Sequence, residues 1–140
     1  MMNYLSQPKH TRQSLIVSET DYYRLCSVIN HEKRLGNISR KRLNRIRKLL
    51  RDVCFYPILL FPADIVTMNS VVELVVPNGP VWIVRLVYPH ETKKDHRRIS
   101  VFSSLGMNLL GRQTGQPIRL GTMRIGSILY QPETFNHFHL

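Results

Sequence analysis

Residues 99–115 read ISVFSSLGMNLLGRQTG, and the fold of the chain turns on them. Residues 99–103 alternate as a strand, with Ile99, Val101 and Ser103 on one face. Ser103 and Ser104 then offer hydroxyls that accept the free N–H groups of a helix start. Leu105, Leu109 and Leu110 fall at i, i+4 and i+5, one stripe of a helix. Gly111 stands where a left-handed residue is wanted past the helix end, and Gly115 permits a second turn. The expected order is strand, very short helix, strand. Such a helix does not hold by itself in water, so it must pack into a curved sheet that gives it a partner surface.

Upstream, the period of two begins at Ser70. Residues 71–76 read as one strand and residues 81–88 as the next, with Trp82, Val84, Leu86 and Tyr88 sharing a face. Between them lies Pro77-Asn78-Gly79-Pro80, and Asn-Gly is a strong hairpin signal. Pro89 ends the second strand, and residues 90–98 form a charged loop. Downstream, residues 118–120 and 123–130 make a last hairpin across Gly121-Thr122, and residues 132–140 read as a frayed polar tail.

Toward the N-terminus the period becomes helical. Ser18-Glu19-Thr20-Asp21 fits a capping box, and Tyr22, Leu25, Cys26 and Ile29 follow at helical spacing to about Lys33. Gly36-Asn37 breaks the pattern, and a second helix starts at Asn37 or Ser39. Its apolar stripe is Leu43, Ile46, Leu50 and Val53. Two amphipathic helices with a short connection imply an antiparallel hairpin. The expected domain plan is a loose arm (1–17), a helical hairpin (18–54), an apolar linker whose aromatic rings pack between hairpin and sheet (55–65), a sheet domain (66–133) and a tail (134–140).

The 140 residues suffice for one core or a small core with an appendage, and 43 % of them are hydrophobic. The net charge of +11 favours an acidic partner, either nucleic acid or an anionic protein surface. Lys33, Arg34, Arg40 and Lys41 surround the Gly36-Asn37 turn, and Arg47 and Arg51 carry the charge down the second helix. Two cysteines, Cys26 and Cys54, are too few for a disulfide scaffold. With no signal-peptide pattern and no apolar run of spanning length, a cytoplasmic chain with reduced thiols and no membrane partner is expected. Gly106, Gly111 and Gly115 are misplaced for a nucleotide-phosphate loop, and no Cys/His set has zinc spacing. His90, Glu91, Asp95 and His96 read as a solvated loop, and His137 and His139 as part of the tail. No nucleophile–base pair is placed by the sequence, so neither a metal, a cofactor, an enzymatic site nor a small-molecule substrate is expected.

A set of motifs resembles a known family. Residues 66–70 (VTMNS), 86–89 (LVYP), 99–106 (ISVFSSLG), 109–111 (LLG), Thr114-Gly115 and 130–133 (YQPE) together resemble the regulator of nucleoside diphosphate kinase (Rnk), related to the bacterial transcription elongation factors GreA and GreB. The resemblance covers about half the chain, from Val66 to Glu133. It implies an α+β fold in which a helical, coiled-coil hairpin precedes an FKBP-like antiparallel sheet wrapped round a short helix. It also implies docking on RNA polymerase near the secondary channel. Ser103, Ser104, Leu105, Gly106 and Met107 are the expected contact residues, with Ser103, Ser104, Leu105 and Met107 at the surface.

Two departures stand out. A family serine-proline is Ser103-Ser104 here, without proline's fixed φ. In the Gre factors acidic tip residues help hold a catalytic magnesium ion; here Glu32 is the single acid among Lys33, Arg34, Arg40, Lys41 and Arg42. With helices of about 15 residues, or ~22 Å, the hairpin is also short. The expectation is a regulator without transcript cleavage. Two alternatives are direct nucleic-acid binding through the basic hairpin and prolyl isomerase activity. The second needs an open aromatic pocket, whereas Trp82, Tyr88 and Phe102 read as core.

Overall fold

The computed structural model describes residues 15–118 and 121–140. The chain opens on β1 (Leu15–Ser18), then α1 (Glu19–Leu35), α2 (Arg40–Arg51) and β2 (Val53–Tyr56). Ser18 caps α1 by accepting from Asp21 N at 3.1 Å, and Gly36 closes it at φ 72°. Ser39 caps α2 by accepting from Arg42 N at 3.2 Å. The helices are held by Leu25 and Ile29 of α1 and Leu43 and Ile46 of α2, all buried. At the hairpin's base β1 and β2 pair in parallel, from Leu15↔Val53 to Ser18↔Tyr56. The stretch after α2 is therefore a strand before it becomes a linker. Tyr22 and Phe55 meet edge to face at 5.2 Å, and Phe61 is buried, while Leu59 and Leu60 face outward.

The second layer is a four-stranded sheet of order β5-β4-β3-β6, made of β3 (Val71–Val75), β4 (Val81–Val87), β5 (Arg98–Ser100) and β6 (Arg124–Tyr130). β3 pairs antiparallel with β4 and β6, but β5 runs parallel to β4. The sheet is mixed, which corrects the expectation of an antiparallel one. The Pro89–Lys94 3₁₀ segment returns the chain so that β5 enters in the same direction as β4. Asn78 turns the β3–β4 connection at φ 58°. Pro117 bridges Arg124, and Ile118 N donates to Met123 O at 2.9 Å, so the last hairpin closes there; the rest of its expected first strand, Arg119 and Leu120, lies outside the described residues, as do residues 1–14 of the expected arm.

The strand expected over 99–103 is shorter. β5 ends at Ser100, and Val101 and Phe102 form a turn into α3 (Ser104–Leu109). Leu109 and Leu110 are buried in one core with Val66, Met68, Leu74, Leu86 and Ile125 of the sheet domain and Leu25 and Ile46 of the hairpin. Gly111 and Gly115 take φ 75° and 84°. The tail is not frayed. Gln131 Nε2 donates to Pro62 O and Ile65 O, both at 2.7 Å, and Glu133 is buried. His137 and His139 lie beside Tyr130 and Phe135 in an aromatic cluster.

Candidate docking surface

The turn from β5 into α3 is built by serine hydroxyls. Ser103 Oγ donates to Ser100 O at 2.6 Å and accepts from Gly106 N at 3.0 Å, which makes Ser103 the cap. Ser100 Oγ accepts from Phe102 N at 3.1 Å. Gly106 is forced by crowding: a methyl there would fall within the envelope of Ser100 O and 2.8 Å from Val101 Cα. Ser103, Ser104 and Leu105 are half-buried and close together at the start of α3. Gly106 and Met107 are not on that surface. Met107 is 5 % exposed and faces Leu15, Leu25 and Ile46 across a small void, which corrects its expected place at the surface. The hairpin covers the side of α3 that the sheet leaves free.

Leu105 leads to a hollow of 440 Å³ lined by Val81, Trp82, Ile83, Val84, His96, Arg97 and Ile99. Trp82 is 50 % exposed here, correcting its expected core position. Tyr88 and Phe102 are buried, as read, and neither lines this hollow. Trp82 shares the face of Val84, Leu86 and Tyr88, but it lies on the half of β4 beyond the reach of β5.

The hairpin presents the second surface. Lys33, Arg34, Arg40, Lys41, Arg47 and Arg51 are all exposed. Arg42, Arg45 and Lys48 bring α2 to seven cations in twelve residues with no acid among them. Among the described residues, no carboxylate lies within ion-pair distance of any of these cations. Lys33 and Arg34 suit the negative end of α1, whereas Arg40, Lys41 and Arg42 crowd the positive end of α2. An anionic partner would relieve that repulsion. Glu32 is half-buried in α1, and no second carboxylate of the hairpin is placed beside it in sequence. His90 and His96 face separate carboxylates, Glu91 at 3.9 Å and Asp95 at 3.4 Å, rather than one centre.

A third cluster escaped the sequence reading and joins hairpin to sheet. Asp21 is buried and accepts from Met68 N at 3.1 Å, instead of returning to the Ser18 backbone as a capping box would have it. Glu133 accepts from Thr67 Oγ1 at 2.7 Å, and Ser70 Oγ accepts from Thr67 N at 2.9 Å. Burial, with the Glu133 charge adding to it, pushes the Asp21 carboxyl up to about 7. Glu133 is raised by burial as well, against its Thr67 hydrogen bond. Burial also raises the Tyr88 phenol. The usable signal was the SxxD pattern itself: an acid in the first helical turn beside the apolar residues Leu25 and Ile29.

Residues 62–127, which hold α3 and most of the four-stranded sheet, match the family model described as transcription elongation factor, GreA/GreB, C-term. A solved structure named as a prokaryotic transcription elongation factor GreA/GreB from Nitrosomonas europaea is 24 % identical, with a TM-score of 0.69 over 85 % of this chain and 100 % of that one. That likeness is one of fold and includes the helices before the sheet. Fainter likenesses are to GreA factor homolog 1 of Thermus thermophilus (19 %, TM-score 0.43, 84 % of this chain and 100 % of that) and of Thermus aquaticus (19 %, TM-score 0.41, 84 % and 99 %). No curated protein sequence matches the chain.

Proposed function

We propose that this protein is a regulator of the Gre/Rnk type that binds RNA polymerase through its sheet domain and performs no transcript cleavage. The observation that carries the reading is the match of residues 62–127 to the GreA/GreB C-terminal family model. On this reading the sheet domain is FKBP-like, the chain works in the cytoplasm, and Ser103, Ser104 and Leu105 contact the polymerase where α3 begins. The basic hairpin supplies an anion-seeking arm rather than a metal site. Magnesium wants several oxygen ligands, and a tip with Glu32 amid five cations repels it.

A second reading, direct nucleic-acid binding, is favoured by the seven cations of α2. It makes affinity fall steeply with salt and makes it blind to sequence. One experiment separates the two. The full chain is passed over a sizing column with core RNA polymerase or with a short DNA duplex, at physiological salt. Co-elution with polymerase alone supports the first reading; co-elution with DNA alone overturns it. Reversal of Arg40, Lys41 and Arg47 to glutamate should weaken binding and flatten its salt dependence. Magnesium-dependent stimulation of transcript cleavage that disappears in Glu32→Gln would contradict the non-enzymatic assignment.

A further inference from the structure

β4 is bonded on one side from Val81 to Leu86, by β3 and the residues just before it, and on the other side only at its C-terminal end. β3 accompanies it to Val75↔Val81, whereas β5 pairs only from Arg85↔Arg98 to Val87↔Ser100. The chain that would prolong β5 turns off instead: Arg98 N donates to Asp95 O at 3.0 Å and Arg97 N to Asp95 Oδ1 at 2.9 Å. The hydrogen-bond phase shows which groups are left over. Leu86 N donates to Ser70 O on the β3 side, and Arg85 N to Arg97 O on the β5 side. Directions alternate along an antiparallel strand, so Val81 and Ile83 aim their N–H and C=O groups at the open side.

The hollow of 440 Å³ runs along this edge. Its wall takes in four consecutive residues of β4, Val81 to Val84. Neighbouring strand residues point to opposite faces, so a hollow touching all four lies along the strand's side and not on a face of the sheet. Val81, Trp82 and Ile83 are each about half exposed. Backbone groups left unpaired among the described residues, beside apolar side chains, are a template for another strand. The rim is basic. His96 and Arg97 are exposed there, while the Asp95 carboxylate is engaged by Arg97 N and sits 3.4 Å from the His96 ring.

We propose that the open side of β4 receives an extended peptide segment of a partner protein, apolar at alternate positions and acidic elsewhere, which adds as a strand in line with β5. Backbone bonds to Val81 and Ile83 hold it, Trp82 and Leu105 cover its apolar side chains, and Arg97 pairs with its acids. The occupant is acidic because Arg97 stands on the rim and the chain carries +11; a second copy would bring the same charge and the same Arg97 against each other. The inference goes beyond the polymerase reading, since it fixes the chemistry of the segment whichever protein supplies it.

Trp82 is the chain's only tryptophan, so its emission reports on this site. Random ten-residue peptides displayed on phage are selected on the full chain, and the best is synthesised with and without backbone N-methylation at alternate residues. Enrichment of alternating apolar residues with Asp and Glu is expected, together with a saturable blue shift of Trp82. N-methylation in the phase facing β4 should weaken binding about tenfold, as should Ile83→Pro, which removes an outward N–H and no ladder bond. Far-UV dichroism checks that variant's fold, and the exposed Arg97→Glu offers a second test, with weakening of about fivefold. Selected peptides that leave Trp82 unmoved, tolerate N-methylation in both phases, or carry no acidic bias overturn the proposal. So does a concentration-dependent Trp82 shift without peptide, which would make the occupant a second copy.

Discussion

Replacing Gly106 by alanine sets two physical effects against each other at one atom. Helix propensity alone favours the change by up to about 1 kcal/mol, since glycine carries the larger entropy cost inside a helix. Packing opposes it. The added methyl would fall within the envelope of Ser100 O, and would stand 2.8 Å from Ser100 C and from Val101 Cα. All three atoms are backbone, so no side chain can rotate away. Relief requires α3 to move off the end of β5. That movement strains the Ser103 cap, which bonds Ser100 O at 2.6 Å and Gly106 N at 3.0 Å. Overpacking of this kind costs ~1–3 kcal/mol and a lost cap ~1 kcal/mol, so the net destabilisation is about 1–4 kcal/mol. For a chain of this size that lowers Tm by roughly 4–15 °C. Thermal and urea unfolding of the full chain read it directly. An alanine variant as stable as the wild type, or more so, would refute the packing argument and leave propensity as the larger effect.

Leu109→Ala, at a fully buried position, should cost ~2–5 kcal/mol, and a wild-type melting curve would show that α3 does not plug the sheet. Met107→Glu should unfold the chain or lower its Tm sharply, since it places a charge between hairpin and sheet; a folded variant of unchanged Tm would contradict the burial. Asp21 makes stability depend on pH with a definite sign. Its carboxyl titrates near 7 in the folded chain against 3.8 ordinarily, so the folded state binds the extra proton between those values. That contribution is whole below about pH 4 and is lost as pH rises through 7, to a ceiling of about 4 kcal/mol. Asp21→Asn should flatten this part of the pH–stability curve measured by urea unfolding; an unchanged slope would remove Asp21 as its source.

Local signals carried the elements they govern. Ser18, Ser39 and Ser103 cap the three helices, and Gly36, Gly111 and Gly115 turn at positive φ, because each depends on a few neighbouring residues. What escaped depends on partners far along the chain. The β1–β2 pairing joins residues nearly forty positions apart, and the parallel entry of β5 is decided by the 3₁₀ return before it. The tail looked polar enough to fray, yet Gln131 and Glu133 spend those polar groups on Pro62, Ile65 and Thr67. Met107 follows the family-like turn that implied a surface place for it, whereas the hairpin covers it. Trp82 obeys the period of two, but the strand that would have covered it stops short. The basic hairpin was legible as charge, and the turn into α3 as serines ahead of a helix. The hollow beside them was not, since it is a space left by the shortness of β5.

The affinity of the full chain for core RNA polymerase, wild type against Ser104→Glu, tests the central claim most directly. Ser104 is half-buried at the first position of α3, where an acidic side chain suits the helix start and leaves the fold intact. The account predicts saturable binding by the wild type and a loss of about tenfold or more in the variant at equal thermal stability, equivalent to about 1.4 kcal/mol. No binding by the wild type, or equal binding by a correctly folded variant, would contradict it.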